Sequence, residues 1–315
     1  MIRVCSYLLV FTRRCRSAGS YTTSCNISID TYTQILYNNK KIRRIYCRGT
    51  YVMFHRDITI QNGNSLGLDI LSMPVLDSRM YLISASGSTS DRDNSNQDLS
   101  IGVERTGREL LIIDPVYIAD DDIQHLESAC SDFDHATVLL THSHYDHIAG
   151  IENLRAIIPT TVYATSLCDE KLKSPQKNLS AYSMALVMGK SEEEQQYCER
   201  FFDFEYKTHA DEIYGGELCL DFDSFYIRTV QTPGHSDCSQ CIELWTRADS
   251  GRLIAVFTGD SLVNGHEVIT RFPSGSKKVF KEETDPYLYS LDDELQVFPG
   301  HGEPDTLGSL RQYLI

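Results

Sequence analysis

Short apolar runs alternate with polar turns along most of the chain, and stretches of helical periodicity separate some of them. Runs that are rich in β-branched and aromatic residues and are bounded by turn residues predict strands. The predicted strands cover residues 54–60, 80–85, 109–114, 136–141, 162–165, 225–232, 240–246, 253–258 and 296–298. The predicted helices cover residues 120–130, 179–188 and 191–202, with a further turn or two after Thr306. Strands dominate both halves and helices lie between them, so we expect a layered α/β body.

Composition narrows the class of partner. The chain has 315 residues, of which 41% are hydrophobic, and this is enough for a sizeable core in one large domain or two ordinary ones. The formal charge of −15 argues against a nucleic-acid backbone or an anionic membrane as the main partner. No apolar stretch approaches the roughly 20 residues that are needed to span a bilayer.

The charge is distributed unevenly, because residues 1–56 carry +9 and the remainder carries −24. Residues 1–28 contain four arginines, many Ser and Thr and no acid, which is typical of an organellar transit peptide; an unstructured extension is the alternative. We expect a basic extension over 1–52 and one domain over 53–315, with a long polar surface loop at 86–108. Ten scattered cysteines favour reduced thiols and an intracellular, cytoplasmic protein, or a mitochondrial or other organellar one if a transit peptide is present.

Four potential metal ligands are packed into six residues directly after the predicted strand at 136–141. They are His142, His144, Asp146 and His147. A strand that ends in such a cluster delivers imidazoles and carboxylates to one loop at a sheet edge, where an ion can be held and a substrate can still reach it. The pattern therefore predicts a metal-dependent enzyme.

Three later residues share one local context, a short apolar run followed by a loop that contains glycine. They are His235 in TPGHS, Asp260 in FTGDS and His301 in FPGHG. Glycine beside each residue lets the backbone approach an ion closely and turn sharply, so all three could converge on the first cluster. Seven donors are too many for one four-coordinate zinc, but they suit two metals that share a carboxylate and a hydroxide.

From about residue 54 to its end, the chain resembles the metallo-β-lactamase-fold hydrolases. Their HxHxDH motif matches residues 142–147, and their later His, Asp and His match the three residues just described. The resemblance implies an α/β fold, a four-layer αββα sandwich with the site along one edge. The ligand sets that it implies are His142, His144 and His235 for one metal, Asp146, His147 and His301 for the other, and Asp260 as the bridge. The motif pattern is most similar to compact glyoxalase-II-like (hydroxyacylglutathione hydrolase-like) members.

The expected chemistry follows from two close cations, which turn a shared water into a hydroxide nucleophile and polarise the group under attack. The donors favour two Zn²⁺ per chain, although the oxygens of Asp146 and Asp260 also admit iron or manganese. Tyr145 either donates a hydrogen bond to an oxyanion or packs beside the loop. Asp114 either orients the metal-binding loop or starts a turn before Pro115.

The substrate is argued partly from absences. Classical β-lactamases of this fold mostly place Cys at the position of Asp260, which argues against antibiotic hydrolysis. Glyoxalase II continues into a helical domain that holds glutathione, whereas fourteen residues follow His301 here. The leading hypothesis is hydrolysis of a thioester or other small acyl ester, with a small-molecule acyl substrate as the partner and the oligomeric state open. The alternatives are a lactonase, a mononuclear-iron persulfide dioxygenase and a non-catalytic metal-bound scaffold or sensor.

Overall fold

The computed structural model describes most of the chain beyond residue 64 and short paired strands before it. The described ranges are 36–37, 40–41, 45–48, 51–59, 65–73, 75–85, 107–118, 123–222, 224–247 and 251–315. The predicted transit peptide or extension at 1–28 lies outside these ranges, as does nearly all of the predicted loop at 86–108.

The strands and helices of the described ranges are numbered in chain order. The strands are β1 (Leu36–Tyr37), β2 (Lys40–Lys41), β3 (Ile45–Arg48), β4 (Tyr51–Thr59), β5 (Ser65–Ser72), β6 (Arg79–Ala85), β7 (Glu109–Ile113), β8 (His135–Leu139), β9 (Thr160–Thr165), β10 (Glu212–Tyr214), β11 (Cys219–Asp221), β12 (Phe225–Gln231), β13 (Gln240–Thr246), β14 (Leu253–Gly259), β15 (Gln296–Pro299) and β16 (Asp305–Thr306). The α-helices are α1 (Ile123–Cys130), α2 (Tyr145–Ile148), α3 (Ile151–Ile157), α4 (Ser166–Leu172), α5 (Ser183–Leu186), α6 (Glu192–Phe201), α7 (Lys277–Val279), α8 (Asp285–Ser290) and α9 (Leu307–Leu310).

Two sheets organise the fold. The first has eight strands in the order β10-β9-β8-β7-β6-β5-β4-β3, and the second has six in the order β11 to β16. Strands β7 to β10 run parallel, whereas β3 to β7 pair antiparallel. In the second sheet only β14 and β15 pair in parallel. Strands β1 and β2 form a separate pair.

Side-chain alternation along the strands explains the layers. Leu110 and Ile112 of β7 pack into the core between the first sheet and helices α1, α3, α4 and α6, while Leu111 and Ile113 face the core between the two sheets. A third core around Phe280 lies between the second sheet and helices α8 and α9. Three cores separate four layers, so the predicted αββα sandwich is confirmed.

Sequence predictions of the strands agree with the structure better than those of the helices. All nine predicted strands are present within a few residues of the predicted ends. Strand β5 was not predicted, because Gly67 and Asp69 weaken its strand pattern and its pairing with two neighbours supplies what propensity does not. The predicted helix at 179–188 is wrong in extent: Leu179 has a left-handed backbone (φ 69°), and only the 3₁₀ turn Ser180–Tyr182 and the short α5 follow it.

The predicted boundary between an N-terminal extension and the domain, at residues 52 and 53, stays a prediction. Strand β3 lies before this boundary, and β4, with which it pairs, spans it. Six cysteines are free thiols: Cys130, Cys168, Cys198, Cys219, Cys238 and Cys241. Within those ranges, no helix is long and apolar enough to cross a membrane.

Candidate metal centre

Seven imidazole and carboxylate side chains converge at one edge of the sandwich, beyond the carboxyl ends of four strands. The loop after β8 and the short helix α2 that follows it supply two each, and the loops after β12, β14 and β15 supply one each. They are His142, His144, Asp146, His147, His235, Asp260 and His301. The structure therefore brings together every residue that the sequence predicted as a metal ligand, although the role of each as a ligand stays a proposal.

The three-histidine group consists of His142, His144 and His235, and one ligand atom from each lies within 4.8 Å of the others. His235 Nε2 lies 2.9 Å from His144 Nδ1. The Ile269 carbonyl, 2.7 Å from His235 Nδ1, can only accept a hydrogen bond, so that nitrogen carries the proton and Nε2 presents its lone pair to the group. His142 Nε2 is buried without a hydrogen-bond partner in the described structure. A lone pair directed into the group and a buried ring nitrogen without a hydrogen-bond partner are features expected of imidazoles that bind a cation.

The carboxylate group consists of Asp146, His147 and His301, which meet the same distance criterion. His147 Nε2 lies 3.3 Å from His301 Nε2, and Asp146 Oδ2 lies 3.3 Å from the same His301 atom. His301 Nδ1 donates to the Leu76 carbonyl at 2.9 Å, so Nε2 is the ring nitrogen that faces Asp146 and His147.

Asp260 lies between the two groups. Its Oδ2 is 3.3 Å from His235 Nε2, while its Oδ1 is 3.4 Å from His147 Nε2 and 3.5 Å from His301 Nε2. Oδ1 is buried and lacks a hydrogen-bond partner in the described structure. A buried carboxylate oxygen without a partner is costly unless a cation neutralises it. The donors present therefore fit a pair of metal ions with Asp260 between them.

Glycine permits this close approach at two of the loops. A Cβ at Gly300 would lie 2.4 Å from Asp260 Oδ1 and 2.8 Å from His147 Cε1. A Cβ at Gly259, where φ is +48°, would lie 2.2 Å from Thr141 Oγ1. Any larger residue would push the strand ends apart, as the glycine-flanked motifs led us to expect.

Asp114 braces the loop that follows β8. It adopts a left-handed backbone (φ 53°), and its carboxylate accepts bonds from His147 Nδ1 at 3.0 Å, from Thr141 N at 2.7 Å and from Thr141 Oγ1 at 2.5 Å. Asp114 also forms a third group of close donors with His142 and His147. Because three hydrogen bonds already occupy its oxygens, this geometry favours the orienting interpretation over a ligand or a simple turn.

The hydroxyl of Tyr145 does not point toward the seven imidazole and carboxylate side chains of the candidate metal centre, which are called the metal-facing donors below. The hydroxyl accepts a hydrogen bond from Asp203 N at 2.8 Å, and the ring packs against Phe202 and Tyr206. Burial raises the pKa of Tyr145 far above its ordinary value. The geometry therefore favours packing beside the loop over the oxyanion-donor interpretation, which stays an untested prediction.

The two groups differ in electrostatics. Burial lowers the pKa of His142 and His144 well below the ordinary value, and neighbouring imidazoles lower it further. Burial also opposes charge on His147 and His301, but Asp146 and Asp260 outweigh it. The pKa of His147 consequently lies well above the ordinary value, and that of His301 rises to about 10.

Sequence reasoning missed the turn between β5 and β6, which supports the carboxylate group. Ser78 Oγ donates to Asp146 Oδ2 at 2.6 Å, and the Leu76 carbonyl holds His301 as described above. Arg79, nearly fully buried, pairs with Glu303 at 2.8 Å just beyond His301. Only the sheet order brings this turn to the site; the Pro, Asp and Ser of the segment predict a turn but no function.

An open cleft of about 200 Å³ leads from solvent to the seven donors. Its described walls are mainly apolar, and Lys190 and His266 are the polar side chains that line it apart from Tyr145 and the donors themselves. Such a cleft with a few convergent polar groups at its floor is typical of a small-molecule site.

The chain belongs to the metallo-beta-lactamase superfamily, whose family model matches residues 100–301. Members of this superfamily are mostly hydrolases, and the donor groups described above give this chain a site that could hold metal.

Two curated relatives and one solved structure show the range of proteins to which the chain is similar. An uncharacterized protein of Mycobacterium tuberculosis is 27% identical over 210 residues, which are 67% of this chain and 88% of the relative. Hydroxyacylglutathione hydrolase GloC of Haemophilus influenzae is 26% identical over 197 residues, 62% of this chain and 82% of the relative. The crystal structure of the B3 metallo-beta-lactamase BLEG-1 superposes with a TM-score of 0.54 at 21% identity, over 76% of this chain and 94% of that one, which shows the shared fold.

Proposed function

We propose that the protein is a metal-dependent hydrolase that cleaves a thioester or another small acyl ester, with two Zn²⁺ ions per chain held by the seven donors. The observation that carries the proposal is the position of Asp260, whose two oxygens face imidazoles of different groups. Bound cations would supply a hydroxide nucleophile near neutral pH and stabilise the oxyanion. Imidazole-rich donor sets suit zinc, which is why we favour it over iron or manganese.

The residues of the cleft support hydrolysis by water over covalent catalysis. Among its described lining residues there is no serine, threonine or cysteine, and the Tyr145 hydroxyl is engaged with the backbone of Asp203. The attacking group in this proposal is therefore a water near Asp146 and Asp260, whose carboxylates can accept its hydrogen bonds. Similarity to a relative named as a hydroxyacylglutathione hydrolase supports a thioester as the first substrate class to test.

The test combines elemental analysis with a substrate panel. We expect about two zinc ions per chain and zinc-dependent turnover of thioesters in preference to lactones and phosphodiesters. A metal-replete protein that is inactive on all three classes would overturn the proposal. Preferred turnover of lactones would favour the lactonase alternative. One iron per chain together with oxygen consumption on a persulfide would favour the dioxygenase.

A further inference from the structure

The walls of the cleft differ in kind from its floor. The floor carries the seven donors, whereas five apolar side chains, together called the apolar wall, line the cleft around them: Val75, Leu179, Leu186, Ile269 and Phe272. Phe272 begins the wall at the metal-facing donors, because its ring meets His144 and His235 edge-on with centroids 5.8 and 5.9 Å away. A substrate whose carbonyl reaches the floor can therefore pack its acyl group against these apolar side chains.

Two residues of the apolar wall are held in a backbone conformation that their side chains disfavour. Val75 has φ 71° and Leu179 has φ 69°, although branched residues rarely adopt the left-handed region. Such strain persists only where the surrounding structure imposes it, and it concentrates at functional sites and ligand clamps.

Asn178 imposes the conformation of Leu179. Its fully buried side chain donates to the carbonyls of Leu172 and Tyr206, at 3.3 and 2.9 Å, and accepts from Ser180 N at 2.9 Å. Its own carbonyl accepts a hydrogen bond from Tyr145 N at 2.8 Å, within the metal-binding loop. The strained leucine is thus fastened directly to the loop that carries the donors, and its side chain lines the cleft.

One cationic side chain lies at the wall. Lys190 lines the cleft and is exposed; it forms no ion pair within 4.0 Å in the described part of the chain, although its charge acts on Glu194 of α6. In a chain of net charge −15, a lysine placed at the substrate cleft is suited to an anionic group on the substrate.

We infer that the substrate class is an acyl thioester whose acyl group is an apolar chain of several carbons and whose thiol portion is anionic. This inference rests on the proposed function and names its substrate. Burial against the apolar wall stabilises the bound acyl chain, and the wall offers few hydrogen-bond partners to a hydroxyl such as that of a lactoyl group. In this arrangement the anionic group of the thiol portion lies near Lys190.

The first experiment measures kcat/KM of the zinc-loaded protein on lactoyl, acetyl, hexanoyl and octanoyl thioesters of N-acetylcysteamine and of 3-mercaptopropionate. We expect the hexanoyl ester to exceed the acetyl ester at least tenfold, on the order of what burial of its extra methylenes supplies. We also expect the anionic thiol to lower KM about threefold, in the range of an exposed ion pair. Equal rates along the series, or a preference for lactoyl, would overturn the inference and leave the hydrolase proposal intact.

Single substitutions distinguish loss of contact with the apolar wall from loss of folding. Leu179→Gly accepts the left-handed backbone and removes the side chain, so we expect the hexanoyl preference to fall about fivefold with loss of the burial. Leu186→Ala, on the short helix α5, is a second variant in case the first does not fold. Met188→Ala is the matched control, because Met188 belongs to the same segment but is 78% exposed and does not line the cleft. Lys190→Gln should remove the KM difference between the two thiols.

A binding measurement keeps the two proposals distinguishable. Calorimetric titration of the zinc-loaded protein with hexanoate and acetate should show at least tenfold tighter binding of hexanoate, lost in Leu179→Gly and kept in Met188→Ala. If no thioester is turned over but this difference is found, the hydrolase proposal fails, and the inference that the apolar wall binds an acyl chain stands. Equal binding of the two acids would refute that inference.

Discussion

The three-histidine group and the carboxylate group lie side by side, yet the protein prepares them for a cation in opposite ways. The three-histidine group contains no acid of its own, burial lowers the pKa of His142 and His144, and the lone pair of His235 Nε2 is directed into the group. In the carboxylate group, Asp146 and Asp260 raise the pKa of His147 and His301. These two imidazoles must therefore lose a proton before they can bind a cation. The comparison shows that one group is arranged by desolvation and the other by charge, and Asp260 is the residue that belongs to both.

Removing the shared carboxylate should have the largest effect. Asp260→Ala takes an oxygen from each group, so we expect kcat to fall by about 10³-fold and zinc content to fall below two ions per chain. Steady-state kinetics and elemental analysis measure the two effects. Asp132→Ala is the matched control, because Asp132 is 81% exposed and lies in the turn that precedes β8, opposite the site. Unchanged turnover in Asp260→Ala would favour the non-catalytic scaffold.

Replacing one histidine in each group should show whether the groups fill independently. We expect His144→Ala and His301→Ala each to lower kcat by about 10²-fold, with one zinc retained in either variant. We expect the zinc retained in His301→Ala to be insensitive to mild acid, because its ligands need no deprotonation, and the zinc retained in His144→Ala to be released first. Zinc release is followed with a chromogenic chelator as pH is lowered. The same release curve for both variants would contradict the comparison.

The two groups also differ in how far the sequence could predict them. The cluster from His142 to His147 was evident because its donors lie on one loop after a recognisable strand. His235, Asp260 and His301 were found through the glycines beside them, and the structure explains why: at Gly300 even a Cβ would meet Asp260. Local patterns therefore predicted the donors of both groups and a layered α/β body, whereas the four αββα layers were predicted from the resemblance to the metallo-β-lactamase-fold hydrolases.

What the sequence did not predict is the support around the donors. Ser78 and Leu76 lie 64 and 66 residues before the nearest donor in the chain, His142, and strand β5, which leads to them, was not recognised. The backbone carbonyl of Ile269 carries no side-chain signal at all. Such contacts depend on sheet order and on which loop faces the site, and neither is encoded in a local pattern.

Weakening the support of the carboxylate group should have a smaller and one-sided effect. Ser78→Ala removes the 2.6 Å hydrogen bond to Asp146 Oδ2, so we expect zinc affinity of the carboxylate group to fall about tenfold while the three-histidine group is unchanged. Competition titration with a chelator resolves two affinities. Ser84→Ala is the control, because Ser84 is on the same sheet but bonds only weakly to Gly67 O at 3.5 Å. Equal weakening of both affinities would show that the groups are not separable.

The smallest effect on catalysis is expected from replacing Lys171, which supports the three-histidine group through the loops next to it. This buried lysine pairs with Asp237 and donates to Ser274 Oγ at 2.7 Å and Ser236 Oγ at 3.4 Å. It thereby joins α4 to the loop after His235 and to the loop that carries Phe272. Lys171→Met keeps much of the packing but leaves Asp237 without its partner, so we expect the free energy of unfolding to fall by about 1–3 kcal/mol in urea titrations.

The same variant also tests whether support of one group reaches the other. Because Lys171 contacts no residue of the carboxylate group, Lys171→Met should raise KM for an apolar substrate about threefold through Phe272 and leave kcat within about twofold. Lys171→Arg should restore part of the stability, since a guanidinium can pair with Asp237. A fall in kcat comparable with that of His144→Ala would mean that the loop after His235 sets the position of both cations, and the division into two independently arranged groups would then be wrong.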